Sequence, residues 1–141
     1  MENLRYNEIK NNSYSERRSQ MTKQRRIIYD IICTSEGHLS ADEIYLAAKT
    51  QCPAIAVGTV YRNLGLMVAE GMIQKIPMDG EADRFDKNPN RHAHVICERC
   101  HSLSDLPLPD IAEVVRQNTG IIPTAYTLNV YHICQKCEKQ I

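Results

Sequence analysis

The organisation of this chain follows from residues 84–105, which read RFDKNPNRHAHVICERCHSLSD. This stretch holds two kinds of metal ligand. Cys97 and Cys100 offer soft thiolate sulfurs, whereas His92 and His94, with aspartates on either side, offer harder nitrogen and oxygen atoms. Two metal chemistries therefore overlap within one short segment.

A second thiolate pair, Cys134 and Cys137, has the same two-residue gap as Cys97 and Cys100. This gap lets both sulfurs of a pair reach one ion from a tight turn, and two such pairs supply the four thiolates of a closed zinc site. The long segment between the pairs suits a strand–helix–strand unit whose ends the metal brings together. Two disulfides are the alternative. The sequence favours zinc, because it shows no secretory segment and disulfides are rare in cytosolic proteins.

The composition limits the class of protein. A length of 141 residues predicts one or two small domains, and 17 basic residues balance 17 acidic ones. This neutral charge neither proves nor excludes nucleic-acid binding. No apolar run approaches the ~20 residues that cross a bilayer, and the Met1 end lacks the apolar core of a signal peptide. We therefore expect a cytoplasmic protein without a membrane partner, whose six cysteines are thiols.

Two helices are predicted after a polar arm over residues 1–20. Thr22 is a candidate N-cap, and isoleucines recur after it at helical spacing as far as about residue 34. The segment Ser40-Ala-Asp-Glu43 has the pattern of a capping box and predicts the start of a second helix. Cys52-Pro53 ends that helix, because the residue before a proline avoids the helical conformation.

A third helix is expected over residues 57–70, with Gly71 as its stop. The apolar side chains predicted to line one face are those of Val57, Val60, Leu64, Met67 and Val68. A hairpin follows, since short apolar runs flank the turn Asp79-Gly80. Three helices and a hairpin predict a winged helix-turn-helix, whose third helix enters the major groove of DNA. A three-helix unit that serves only for packing is the alternative.

The second half is predicted to be a small α+β unit. Strands are expected over residues 94–97, 102–106 and 124–133, and a helix over residues 109–118 with Pro109 in its first turn. A unit of about 55 residues has a marginal hydrophobic core. Bound zinc compensates, because metal affinity adds to folding free energy. Leu128 and Val130 are further expected to bury against a second copy.

From about residue 20 onwards, the chain resembles the ferric uptake regulator family of bacterial metal-dependent repressors. The motifs that carry the resemblance are Thr22-x-Gln24-Arg25, Ser40-Ala-Asp-Glu-Ile-Tyr45, Gly58-Thr-Val-Tyr-Arg-Asn-Leu64, Arg84-Phe-Asp86, His92-x-His94-x-x-Cys97-x-x-Cys100 and Cys134-x-x-Cys137. The resemblance implies a homodimer. Residues 1–83 would form a winged-helix DNA-binding domain with an N-terminal arm, and residues 84–141 an α+β dimerisation domain with a structural zinc.

The resemblance also implies a regulatory metal between the two domains. Carried over position by position, its ligands are His38, Asp86, His92, His94 and Asp105. A mixed nitrogen and oxygen site suits Fe(II), Mn(II) or Zn(II) rather than a soft ion. Since His38 belongs to the DNA-binding half and His94 to the other half, a metal that binds both would fix the angle between the halves.

Double-stranded operator DNA is the partner that the resemblance implies. The candidate DNA contacts are Arg25, Thr59, Tyr61, Arg62 and Asn63. Arg62 is the candidate reader of guanine, since arginine is the commonest bidentate ligand of that base. The chain also departs from the family pattern. Ala56 replaces the serine that commonly caps the recognition helix, and Arg91 and Ala93 stand where some members bind an additional metal, so that further site is expected to be absent.

Aspartates at positions 86 and 105 resemble the peroxide-sensing branch of the family, whereas iron-uptake regulators usually have glutamates there. In that branch Fe(II) reacts with peroxide, a bound histidine is oxidised and the repressor leaves DNA, while Mn(II) supports repression alone. An iron- or zinc-uptake regulator without peroxide sensing is the alternative within the family. Outside it, the alternatives are a zinc-stabilised DNA-binding protein without a sensor and a hydrolytic metalloenzyme. We expect no enzyme, because no candidate acid or base stands apart from the ligands.

Overall fold

The computed structural model describes Glu16, residues 18–90 and residues 92–140. Most of the expected N-terminal arm, and Arg91, lie outside these residues. The elements in chain order are α1 (Lys23–Thr34), β1 (Leu39–Ser40), α2 (Ala41–Gln51), α3 (Val57–Ala69), β2 (Gln74–Ile76), β3 (Arg84–Asp86), β4 (Ala93–Cys97), β5 (Leu103–Leu106), α4 (Ile111–Thr119), β6 (Asn129–His132) and α5 (Gln135–Glu138). No helix in this described part is long and apolar enough to span a bilayer.

Helices α1, α2 and α3 enclose one hydrophobic core, and their predicted starts are confirmed. The Thr22 side chain accepts a hydrogen bond from the amide of Arg25 and caps α1, and a complete capping box of Ser40 and Glu43 opens α2. The spacing of apolar residues along the three helices brings their inner faces together. The side chains at the centre are almost fully buried, namely Ile28, Ile44, Val60, Leu64 and Met67.

Two residues of α3 face opposite to the prediction. Val57, expected in the apolar stripe, is 46% exposed, because it lies in the first turn beyond the reach of the core. Asn63, which as a candidate DNA contact would face outwards, is buried, and its Nδ2 donates to the carbonyl of Thr59 at 2.8 Å. The helical repeat explains this burial, since Asn63 follows Val60 by three residues and shares its face.

Strands β2 and β3 form the predicted wing, and Gly80 takes the positive φ of 70° that their connecting turn requires. The sequence did not predict β1, whose two residues are too few to show an alternating pattern. It pairs antiparallel with β3, so the sheet has the order β1-β3-β2. Leu39 lies opposite Phe85 in this pairing, which brings the preceding residue, His38, beside Asp86.

The predicted domain boundary between residues 83 and 84 directly precedes strand β3. Strand β3 is hydrogen-bonded between β1 and β2, and Phe85 packs against the core of the three helices. A boundary at residue 84 would therefore cut through the sheet of the first half. We propose instead that the domains divide within residues 87–92, which follow β3 and precede β4.

The second half has a sheet of order β5-β4-β6, in which β4 is antiparallel to β5 and parallel to β6. The parallel pairing needs a crossover connection, which contains α4. Asp110 caps α4 by accepting from the amide of Ala112, so Pro109 precedes the helix instead of occupying its first turn. Strand β6 is also shorter than the predicted residues 124–133, because only residues 129–132 pair with β4.

Few side chains of the second half are buried. Among its described residues, the buried apolar side chains are Ala93, Ile96, Cys97 and Cys137. Helix α4, which the structure describes in full, has none. A core this small cannot offset the conformational entropy that folding removes, so this half needs further stabilisation from a metal or from a second chain.

Candidate metal centres

The four predicted zinc ligands lie together at one end of the second sheet, with their sulfurs all within 4.8 Å of one another. Cys97 ends β4, Cys100 lies in the following turn, and Cys134 and Cys137 stand at the start and inside α5. The Sγ atoms of Cys97 and Cys137 are 3.8 Å apart, and those of Cys100 and Cys134 are 3.7 Å apart. All four cysteines are free.

These distances fit one zinc ion and exclude the disulfide alternative. Four sulfurs placed about 2.3 Å from a central zinc occupy tetrahedral corners about 3.8 Å apart. A disulfide would require about 2.05 Å between two sulfurs.

The charges of the four cysteines also call for a cation. The pKa of Cys97 falls to about 5, because backbone amides at Cys100 and Cys134 donate to its sulfur. The pKa of Cys100 is lowered by the neighbouring Ser102, whose hydroxyl lies 3.2 Å from the sulfur. The pKa of Cys137, in contrast, rises to about 12, because hydrogen bonding to Cys134 favours its thiol. A cation among the sulfurs would favour the thiolate of Cys137 as well.

The five predicted regulatory ligands form a second cluster, and their candidate ligand atoms also lie within 4.8 Å of one another. The Nε2 atoms of His38, His92 and His94 each face the same two carboxylate oxygens, Oδ2 of Asp86 and Oδ1 of Asp105. The six nitrogen–oxygen distances run from 2.7 to 3.4 Å.

Strand pairing explains why these side chains meet. His94 lies directly opposite Asp105 across β4 and β5, and His92 precedes His94 by two residues, which puts it on the same face. The pairing of β1 with β3 places His38 beside Asp86. The cluster therefore joins the winged-helix sheet to the sheet of the second half.

Hydrogen bonds alone do not account for this arrangement. Each imidazole Nε2 carries at most one proton, so the three nitrogens cannot donate in all six close contacts. Two ligands about 2.1 Å from one ion and at right angles to each other are about 3.0 Å apart. The observed separations are thus those of neighbouring ligands around a single metal.

Hydrogen bonds to the backbone orient two of the ligands in this cluster. The Nδ1 of His92 lies 2.7 Å from the carbonyl of Asn90, and when it donates there the Nε2 lone pair is free for a metal. Sequence reasoning missed this support, because any residue supplies a backbone carbonyl. The other oxygen of Asp86 accepts from the amide of Asn88 at 2.9 Å. Both contacts fix the direction in which a ligand points.

Burial and charge favour a divalent cation. Asp86 and His94 are almost fully buried, whereas the side chain of Asp105 is 55% exposed. Burial opposes ionisation of Asp86, but hydrogen bonds from His38, His94 and the amide of Asn88 outweigh it and lower its pKa. Burial likewise opposes protonation of His38, yet the two aspartates raise its pKa. The two aspartates thus give the cluster an electrostatic environment that suits a cation.

The five candidate DNA contacts have different surroundings. Arg62 is exposed on α3, and Tyr61 beside it is 53% exposed, with its hydroxyl donating to Asp42 at 3.0 Å. Thr59 is half-buried, and Asn63 is buried as described above. Arg25 is 18% exposed at its side chain and forms an ion pair with Glu70.

Comparisons with known proteins agree with the two metal clusters described above. The model of the Ferric uptake regulator family matches residues 16–131 of the chain. The chain belongs to the ferric uptake regulator family. Its resemblance to that family is thereby confirmed, as is the predicted fold class of an N-terminal winged helix followed by an α+β dimerisation domain with a structural zinc site.

Members of the family that resemble this chain include metal and peroxide regulators. The chain is 32% identical over 123 residues to the peroxide-responsive repressor PerR of Staphylococcus epidermidis. The aligned segment covers 85% of this chain and 82% of that protein. Its fold matches a peroxide stress regulator of Campylobacter jejuni with a TM-score of 0.72 and 25% identity, over 89% of this chain and 97% of the other. It also matches the ferric uptake regulator of Francisella tularensis with iron, with a TM-score of 0.70 and 27% identity, over 84% and 94%.

Proposed function

We propose that this protein is a homodimeric, metal-dependent repressor that binds double-stranded DNA when its regulatory site is loaded and releases it after exposure to peroxide. The observation that carries the proposal is the cluster of three histidines and two aspartates drawn from both halves of the chain. Zinc at the four cysteines is structural, and Fe(II) or Mn(II) occupies the regulatory site. The protein acts in the cytoplasm, where its thiols stay reduced.

The regulatory ligands couple metal to DNA through the angle between the halves. His38 precedes the wing sheet, whereas His92, His94 and Asp105 belong to the second sheet or lie beside it. A metal stabilises the DNA-binding arrangement by the difference between its affinities for the two arrangements, and by no more than that. His38 matters most to this difference, because it is the histidine that the first half contributes.

Exposed apolar side chains support the homodimer. Among the described residues of the second half, six large apolar ones remain exposed in a single chain, namely Leu108, Val114, Ile121, Ile122, Val130 and Tyr131. Apolar surface of this kind marks a site of association. Two chains joined through this half would present two α3 helices to successive major grooves, as helix-turn-helix dimers do.

Aspartates at positions 86 and 105, with the relatives named above, support the peroxide response. Fe(II), if these ligands held it, would pass electrons to peroxide and would recover them from the histidine ring that is oxidised. The rings of His38 and His92 lie beside that site, and the net reaction transfers one oxygen atom from hydrogen peroxide to a ring carbon and leaves water. An oxidised ring no longer binds as an imidazole does, so the link between the halves is lost.

We expect protein loaded with Fe(II) to lose its DNA after peroxide, with one added oxygen on His38 or His92. The same dose should leave the Mn(II) form on DNA. A duplex selected from a random pool by the Mn(II)-loaded protein provides the probe. Retention on this duplex is measured for both forms, and peptide mass spectrometry locates the oxygen. Equal resistance of the two forms would contradict peroxide sensing and leave an iron- or manganese-responsive repressor.

Replacing Arg62 with alanine is expected to weaken specific DNA binding by ~1–3 kcal/mol, because a bidentate contact to guanine contributes about that much. The side chain is exposed on α3, so the fold should stay intact. Lys139→Ala, which removes an exposed positive charge from the second half, is the control and should bind the selected duplex normally. If Arg62→Ala kept full affinity, the surface that reads DNA would lie elsewhere.

We infer that the protein has no enzymatic activity. The ligand atoms of the regulatory cluster already face one another from five protein side chains, so few positions remain for a substrate. A zinc-stabilised DNA-binding protein without a sensor would bind the selected duplex equally with and without Mn(II), and a binding measurement on the Mn(II)-free protein distinguishes it.

A further inference from the structure

Arg84 connects the regulatory cluster to the helix-turn-helix, a role that the metal ligands do not explain. It is the first residue of β3 and lies opposite Ser40 of β1. Its Nη1 donates to Oε1 of Glu43 at 2.9 Å and to the backbone carbonyl of His38 at 3.4 Å. The same guanidinium nitrogen therefore contacts a metal-ligand residue and the first turn of α2.

The acceptor on α2 is already part of a rigid structure. Oε1 of Glu43 also accepts from the Ser40 hydroxyl at 3.0 Å and from the Ser40 amide at 3.4 Å, which completes the capping box. Only Leu39 separates His38 from Ser40 along the chain. Strand β1 therefore connects His38 directly to the start of α2, and Arg84 contacts the chain on both sides of this strand, at the carbonyl of His38 and at the side chain of Glu43. A movement of His38 should thus also move the start of α2.

Helix α2 is in turn fixed to the recognition helix. The hydroxyl of Tyr61 on α3 donates to Oδ1 of Asp42, the residue before Glu43, at 3.0 Å. Ile44 of α2 and Leu64 of α3 are both buried in the core that the two helices share. The two helices are thus joined at the exposed end by a hydrogen bond and inside by apolar packing, so they respond to a displacement as one body.

We propose that Arg84 is a positioning residue that passes metal binding at His38 on to the helix-turn-helix. Its guanidinium keeps the main chain at His38 and the N-terminus of α2 in one unit, so that a metal acting on the imidazole also orients α3. Arg84 binds neither metal nor DNA in this role. The proposal rests on the proposed function, since it requires that Mn(II) strengthens DNA binding.

The test compares metal binding and DNA binding in Arg84→Met, which keeps an unbranched apolar stem and loses the donor. Mn(II) affinity is measured by calorimetry on the zinc-containing dimer, and affinity for the selected duplex is measured with and without Mn(II). We expect the Mn(II) dissociation constant to change by less than about threefold, while the factor by which Mn(II) strengthens DNA binding falls about tenfold. Arg84→Lys, which keeps a donor, should restore part of that factor.

Glu43→Gln provides an independent variant that acts on the other end of the contact. It should lower the same factor, because a neutral amide accepts from the guanidinium less strongly than a carboxylate does, and combining it with Arg84→Met should add little, because both substitutions act on one contact. If Arg84→Met or Glu43→Gln fails to fold, the remaining variant and Arg84→Lys together test whether Arg84 couples metal binding to DNA binding.

Several outcomes would overturn the proposal. Loss of Mn(II) binding in Arg84→Met would show that Arg84 only supports the ligand, and an equal loss of DNA affinity with and without Mn(II) would show a purely structural role. An unchanged response to Mn(II) would reject Arg84 alone and leave the proposed function standing. Wild-type protein whose DNA binding ignores Mn(II) would reject both together.

Discussion

Replacing Cys97 with serine is expected to remove about one zinc per chain and to unfold the second half, with loss of the dimer. Cys97 is completely buried at the end of β4, and a serine hydroxyl is a far weaker zinc ligand than a thiolate. Structural zinc contributes about 10–16 kcal/mol, which equals or exceeds the whole stability of a typical domain. The few buried apolar side chains of this half cannot replace that contribution.

Zinc content by metal analysis and molecular mass by sedimentation measure this outcome. Cys52→Ser is the matched control, because Cys52 is a free, half-buried thiol at the end of α2, outside the cluster. It should keep its zinc and its dimer. A Cys97→Ser protein that remained a folded dimer without zinc would show that the four cysteines do not hold the second half together.

Replacing His38 with alanine should abolish metal-dependent DNA binding and leave the structural zinc in place. His38 is the imidazole that the first half gives to the regulatory cluster, and its Nε2 lies 3.1 Å from Asp86 and 2.9 Å from Asp105. In the absence of the His38 side chain, a metal bound by His92 and His94 has no imidazole ligand from the first half. We expect affinity for the selected duplex to fall to the metal-free level.

His132→Ala is the control for this variant, since His132 is exposed at the end of β6 and lies outside the regulatory cluster. Its zinc content and its response to Mn(II) should match those of the wild type. DNA binding is measured for both variants over a Mn(II) titration. A His38→Ala protein that still responded to Mn(II) would reject bridging through His38, whatever metal the site prefers.

The thiolate cluster could be predicted from the sequence because its chemistry is rare and its spacing is short, whereas the full regulatory set, which includes the distant His38, was predicted through the family resemblance. Two pairs of cysteines with the same gap have few uses in a reduced protein other than a metal site. His92 and His94, two residues apart, share one face of any strand that contains them. Helices α1 and α2 could be predicted for a similar reason, since Thr22 and the Ser40–Glu43 box act through local hydrogen bonds.

Features that depend on contacts distant in sequence could not be predicted in this way. Strand β1 has only two residues and exists because β3 pairs with it. The exposure of Val57 depends on where the other helices end. Residues Arg84–Asp86, which read as part of the metal motif, also form the central strand of the wing sheet. The contact of Arg84 with the carbonyl of His38 has no signal in the residue pattern.

The claim that a metal strengthens DNA binding by joining the two halves is tested most directly by measuring Mn(II) affinity in the absence and presence of the selected duplex. Coupling between two binding sites is reciprocal, so a metal that strengthens DNA binding must itself bind more tightly on DNA. We predict that the duplex raises the affinity of the wild-type dimer for Mn(II) by the same factor by which Mn(II) raises its affinity for the duplex. A Mn(II) affinity that the duplex leaves unchanged would contradict this account.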